Sequence, residues 1–237
     1  ELQAILLAVG LIVGALSVTG LSGTLVNELL FIAGDSTGVL ILMGAATSFI
    51  LGIGLTVTAA YVFLAIVLAP ALIDGGLAPM AVHLFILYWG MLSFITPPVA
   101  LGAFAAASIS GANPVATGFE AMRLGVAIYL VPFLFVLNPA LIGHGPWQGI
   151  VQAALEALLG VLLIAWSAQR HLPRLGDPGL IAAWLLGLGG LLIALPDINL
   201  QGLALTNALG NSAGAGMMVL ALLLARFRAQ QAPAVGT

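Results

Sequence analysis

Seven apolar runs dominate this sequence, at about 3–33, 38–73, 80–110, 115–142, 147–168, 179–195 and 212–226. A helix needs ~20 apolar residues to cross a bilayer core, and most of these runs reach that length. Only 5% of the chain is charged, against about a quarter in a soluble domain. The solvent for this chain is lipid. In lipid every backbone polar group must be satisfied internally, so helices are the expected element. The expected fold class is an all-α polytopic membrane protein.

Gly/Pro-rich or polar segments separate the runs: "AGDST" (33–37), "DGGLAP" (74–79), "GANP" (111–114), "GHGPW" (143–147), "HLPRLGDPG" (171–179) and "PDINLQG" (196–202). The tail 229–237 is small and polar and reads as disordered. Glu1 opens the chain inside an apolar run without a signal-peptide pattern, so the expectation is a portion of a longer membrane protein. Lysine is absent, and the net charge of −3 gives no basic surface for nucleic acid. The lack of cysteine excludes disulfides, thiolate metal sites and cysteine catalysis. Three scattered histidines have no metal-ligand spacing. No nucleophile–base pair, phosphate loop or nucleotide fingerprint appears, so no enzyme is expected.

The five arginines, Arg123, Arg170, Arg174, Arg226 and Arg228, fall on one side when the spans are threaded alternately. The positive-inside rule makes that side, and the C-terminus, cytoplasmic. Glu156 sits near the middle of the 147–168 run. An intramembrane carboxylate is a functional candidate by default, although a structural hydrogen bond explains it more simply. Tyr88, Trp89, Trp147, Trp166 and Trp184 fit interfacial anchors.

Two runs do not read as plain crossings. Residues 38–73 hold no charge; as one helix they would measure ~54 Å, too long for a ~30 Å core. Their middle, "GIGLTVT" (52–58), is poor helix. A re-entrant hairpin with its tip at mid-membrane resolves the conflict; a kinked, tilted helix is the plainer alternative. Residues 80–110 contain "SFITPPVALGAF", whose adjacent prolines break a helix. Broken backbone at bilayer depth must be buried or line a polar cavity. The first half-helix then offers carbonyls to a hard cation, and the second offers amides to a carboxylate. Discontinuous helices at a midplane site point to a secondary transporter.

The stretch "SFILGIGLTVTAAYVFLAIVLAPALIDGGLAPMAVHLFILYWGMLSFITPPVAL" (48–101) resembles the permeases of tripartite ATP-independent periplasmic (TRAP) transporters, in particular those with fused small and large membrane subunits. The resemblance continues through "GANPVATGFEAMRLG" (111–125) and "VPFLFVLNPALI" (131–142). It implies an elevator-type transport domain of two inverted repeats, each with a hairpin and a broken helix. Residues 1–145 would be the second repeat, with hairpin 38–73 and broken helix 80–110. Residues 146–228 would be a C-terminal transmembrane extension, and the first repeat would be the missing N-terminal half of the same permease.

The resemblance implies sodium as coupling ion, bound by Gly52, Gly54, Thr56, Thr58, Thr96, Pro97 and Pro98. It places an organic anion, a carboxylate, at Thr58, Ala59, Ser93 and Val99. It implies a periplasmic solute-binding protein as partner and a bacterial or archaeal inner membrane as location. Fused members commonly read Gly-Leu-Pro-Thr-Thr at the tip; here Leu55-Thr56-Val57-Thr58 lacks the proline and one hydroxyl. His83 matches a histidine of the pattern and reads as a packing residue. Asn138-Pro139 matches an Asn-Pro pair and reads as a cap. The rival readings are an elevator-type ion/anion symporter without a binding protein, and a non-transporting structural membrane subunit.

Overall fold

The computed structural model describes residues 7, 11, 14–15, 18–34, 36–53, 55–173, 175–196, 198–200, 203–205 and 207–231. The chain divides into two compact units, Glu1–Met122 and Arg123–Thr237.

In the first unit, α1 (Leu21–Ala33) ends at Gly34 (φ 55°), and Ser36 opens α2 (Thr37–Gly52) by accepting the Val39 N–H at 3.4 Å. Such N-caps satisfy amide donors that a helix start leaves unpaired. Residues 53, 55 and 56 are not helical, and α3 (Val57–Val67) begins under a second cap, Thr56 Oγ1 accepting from Ala59 N at 3.3 Å. A short α4 (Ala69–Asp74) has Pro70 in its first turn, where a missing N–H costs nothing. Beyond Gly75 and Gly76, Pro79 opens α5 (Pro79–Met91). A 3₁₀ turn (Leu92–Phe94), α6 (Leu101–Ser110) and α7 (Pro114–Leu124) follow.

Helix α2 and the α3–α4 segment double back on one another. Gly44 on α2 faces the Leu72 side chain of α4, and Gly75 after α4 leaves no room for a Cβ beside Leu40 near the start of α2. The two ends of the 38–73 segment therefore lie together. Helix α5 packs against both arms. Its Ala81, Val82, Phe85 and Ile86 are fully buried with Leu64, Leu68 and Leu72. Trp89 is half-buried, its ring 6.4 Å from that of Phe85 one turn earlier on the same helix.

In the second unit, α8 (Val126–Leu137) ends at Asn138, whose Oδ1 accepts from Ala140 N at 3.2 Å and caps the 3₁₀ turn Pro139–Ile142. Helices α9 (Trp147–Gln169), α10 (Leu180–Ala194) and α11 (Asn207–Gln231) form the rest. Helix α11 starts before residue 212 and runs past 229, so part of the tail read as disordered is helical; residues 232–237 lie outside the described residues. The segment around 196–202, read only as punctuation, carries a short antiparallel ribbon pairing Ile198–Leu200 with Leu203–Leu205. Helices α9 and α11 are long and apolar enough to cross a membrane; a third crossing results if α7 and α8 count as one span across Gly125.

Glycines bring these helices together. A Cβ on Gly160 would stand 2.5 Å from Gly190 O, and one on Gly190 would stand 2.6 Å from Gly160 O. One turn away, Gly187 faces Ser167 in the reverse order, so α9 and α10 are antiparallel. Gly189 and Gly214 make the same contact between α10 and α11. Small residues permit such approach where lipid supplies no hydrophobic drive between helices. Glu156 Oε1 accepts from Gln152 Nε2 (2.9 Å) and from Asn211 Nδ2 on α11 (2.8 Å). The mid-helix carboxylate thus ties α9 to α11.

Replacing Gly190 with valine overpacks the α9–α10 crossing and is expected to lower stability by about 2 kcal/mol. Gly216→Val, at a position with nothing within 4 Å of its Cβ, is expected to stay within about 0.5 kcal/mol. Thermal unfolding of both variants in detergent checks this; equal shifts would show that the glycine crossing does not hold the unit.

Candidate functional site

One contact joins two of the helix interruptions in the first unit. The first is the tip between Gly52, the end of α2, and Val57, the start of α3. The second runs from Leu92 to Ala100 between α5 and α6.

The break follows from its residues. Pro97 and Pro98 carry no N–H, so the carbonyls of Ser93 and Phe94 lose the donors that a continuing helix would supply. The chain tightens into a 3₁₀ turn, where the N–H groups of Ile95 and Thr96 and the Thr96 hydroxyl (2.7 Å) all converge on Leu92 O. Among the described residues, no backbone hydrogen bond ends on the carbonyls of Ser93, Phe94, Ile95, Pro97, Pro98 or Val99. The Pro97–Pro98 peptide is cis. Ala100 takes φ 35°, an unfavourable conformation for a residue with a Cβ, and is fully buried. Gly118 on α7 covers the break so closely that a Cβ there would stand 2.7 Å from Pro97 Cγ.

The joint lies one turn earlier. Gly52, the last residue of α2, meets Gly90 on α5; a Cβ on Gly52 would collide with the Gly90 backbone. The buried Ser93 hydroxyl donates to Gly52 O at 3.0 Å and lies 3.3 Å from Gly90 O. Leu55 N also donates to Gly52 O, at 3.4 Å. That carbonyl, with two lone pairs, is therefore fully engaged, and its part here is to hold the tip against the break.

The other sequence candidates fall around this joint. Thr56 is exposed at the tip and caps α3. Thr58 is exposed in the first turn of α3, where the N–H groups of Val57 and Thr58 precede the first intrahelical bond, Ala60 N to Thr56 O. Ala59 is buried. Thr96 and Pro97 are half-buried, Pro98 is exposed and Val99 is half-buried. Gly54 lies outside the described residues. Ser93 and Gly52 are in direct contact; the structure gives no bond between Thr56 or Thr58 and the break. His83 Nδ1 is 3.2 Å from the Tyr61 hydroxyl with the rings edge to face, a tie between α3 and α5.

Gly90 and Gly118 were not singled out in the sequence. Gly90 stands seven residues before the first of the two prolines, and Gly118 interrupts an otherwise good helix former; these are the only local signals either gives. Ser48, one turn before Gly52, was also missed: it is fully buried and its hydroxyl has no partner.

No three His, Cys, Asp or Glu side chains come together among the described residues. What the joint offers is main-chain carbonyl and hydroxyl oxygen on one side and helix-start amides on the other. Oxygen donors of that kind suit a hard cation and exposed helix-start amides suit an anion. Residues 1–147 match the family described as "Tripartite ATP-independent periplasmic transporter, DctM component", and the chain belongs to that family. No curated protein and no solved structure matches the chain. The protein is thus a multi-pass membrane protein of a TRAP-type permease family.

Gly52→Ala is expected to push α2 off α5 and cost about 2 kcal/mol, whereas Ser93→Ala, which removes one hydrogen bond, is expected to cost about 1 kcal/mol. Thermal unfolding of the purified chain ranks the two; a neutral Gly52→Ala would disprove the joint.

Proposed function

We propose that this chain forms part of a sodium-coupled permease that takes up organic anions, most simply carboxylates, in a bacterial or archaeal inner membrane. The observation that carries the reading is the set of carbonyls at Ser93, Phe94, Ile95, Pro97, Pro98 and Val99 on which no backbone hydrogen bond ends among the described residues, in a break pinned to the end of α2 through Gly52, Gly90 and Ser93. Family membership supports transport; the chemistry of the joint supports a monovalent cation beside an anion.

On this reading sodium sits between tip and break. Gly52, Gly54, Pro97 and Pro98 frame the site, and Thr56, Thr58, Thr96 and main-chain oxygens supply ligands. The anion lies against the start of α3, near Thr58 and Ala59, with Ser93 and Val99 across from it. The α3 amides and the adjoining cation both attract a carboxylate. A matching hairpin and break from the rest of the permease would complete the site, as the resemblance implies. The 38–73 hairpin would be re-entrant, and the hairpin and broken helix would move together as an elevator against a fixed scaffold. Family members work with a periplasmic binding protein and a small subunit, so the solute would arrive from such a protein. The arginine distribution would make the C-terminus cytoplasmic.

Thr96→Val in the full permease, reconstituted in vesicles with its binding protein, tests this. Loss of one ligand oxygen is expected to raise the sodium concentration for half-maximal uptake by roughly tenfold. Uptake with unaltered sodium dependence would overturn the ion site. Uptake that needs no binding protein would instead favour a stand-alone symporter, and absence of uptake in the unmutated permease a structural subunit.

A further inference from the structure

The loop end of the second unit carries a groove that the transport reading does not use. It measures about 520 Å³ and is walled by Gly179, Leu180, Ile181, Leu224, Phe227 and Arg228, from the start of α10 and the last turns of α11. Its apolar wall faces outward: Ile181 is 72% exposed and Phe227 61%. In a membrane helix bundle such side chains meet lipid, so an acyl chain lies beside this groove rather than water.

The polar end is built around Arg228. Its guanidinium lies against Gly179, where a Cβ would stand 2.6 Å from Nη1, so only glycine leaves it room. Gly179 also has φ 82°, which favours glycine. Asp177 accepts from Gly179 N at 2.9 Å and pairs with Arg170 at 3.4 Å. The Gly179 N–H bond, with Arg170 and Arg228 nearby, holds its carboxyl below the ordinary value. Asp177 is therefore a fixed anion, and it is the only acidic residue among residues 157–196 and 207–231. Against it stand Arg170, Arg226 and Arg228, the latter two at the end of α11. This end of the helices remains net positive, and basic pockets at the ends of membrane helices bind lipid headgroups.

We propose that this groove binds one anionic phospholipid, with its phosphate on Arg228 and an acyl chain along Ile181, Leu224 and Phe227. The charge selects the headgroup and the apolar wall selects a lipid over a soluble anion. The site lies outside the family-matched residues 1–147 and does not depend on the transport reading.

The full chain, delipidated in detergent, is titrated with phosphatidylglycerol or phosphatidylcholine and followed by native mass spectrometry. Phosphatidylglycerol is expected to bind about fivefold more tightly, the contribution of one arginine near a headgroup, and to resist a large excess of inorganic phosphate. Arg228→Gln is expected to remove the preference, and Gly179→Ala, which displaces the guanidinium without changing charge, to reduce it. Circular dichroism checks that both variants fold; if either does not, the unmutated chain alone decides. Equal binding of the two lipids, a preference that survives Arg228→Gln in a folded chain, or displacement by phosphate would each overturn the proposal.

Discussion

The rest of the structure depends on backbone meeting backbone at paired glycines. In lipid, helices gain little by burying apolar side chains against each other, since the surrounding acyl chains are equally apolar. What remains is dispersion at close range, which weakens quickly with any gap. Gly52 on Gly90, Gly160 on Gly190 and Gly189 on Gly214 each place a backbone where a Cβ could not fit. The same device serves two ends. In the second unit it clamps three antiparallel helices. In the first it clamps the end of one helix against the turn before a break, and so fixes two irregular segments that would otherwise have little to hold them.

The break shows how a membrane protein keeps unpaired backbone without unfolding around it. Two prolines withhold the donors, and the remaining donors crowd onto Leu92 O. Ala100 accepts a left-handed conformation, which costs about 1 kcal/mol, because the fully buried site gives the chain no other path into α6. Gly118 seals one side of Pro97. Ser93 turns a potential defect into a tie by directing its hydroxyl across to Gly52 O. Among the described residues, the carbonyls of Ser93, Phe94, Ile95, Pro97, Pro98 and Val99 are left out of the backbone ladder, while Thr96 O still accepts from Ala100 N.

Much of this was legible in the sequence because its causes are local. Near-absence of charge gave the helical membrane class. The double proline marked where α5 stops and α6 restarts, and "GIGLTVT" marked where α2 gives way to α3. Asn138 was legible as a cap and is one, whereas the caps made by Ser36 and Thr56 come from the structure alone. The pairings were not legible, because they join distant positions. Ser93 reaches Gly52 across 41 residues, and Asn211 reaches Glu156 across 55. Nothing local tells that Gly90 rather than Gly102 meets Gly52. The ribbon after α10 was missed because its strands, three residues each, are too short to show alternation.

The two units handle polar groups differently. In the second unit the polar group is a side chain, Glu156, one of whose oxygens accepts from Gln152 on its own helix and from Asn211 on α11. An ionisable group tied by direct hydrogen bonds across a helix pair suits a scaffold, since moving the helices apart would strand a carboxylate in lipid, which is costly. In the first unit the polar groups are carbonyls and hydroxyls. They carry no net charge, need no proton to be removed before they meet a cation, and can exchange one oxygen partner for another at small net cost. A site that must fill and empty in every cycle is better made from such groups than from a fixed carboxylate. The sequence departs from the usual tip by losing a hydroxyl at Val57, yet main-chain oxygens of the kind that the break leaves outside the backbone ladder do not depend on side-chain identity.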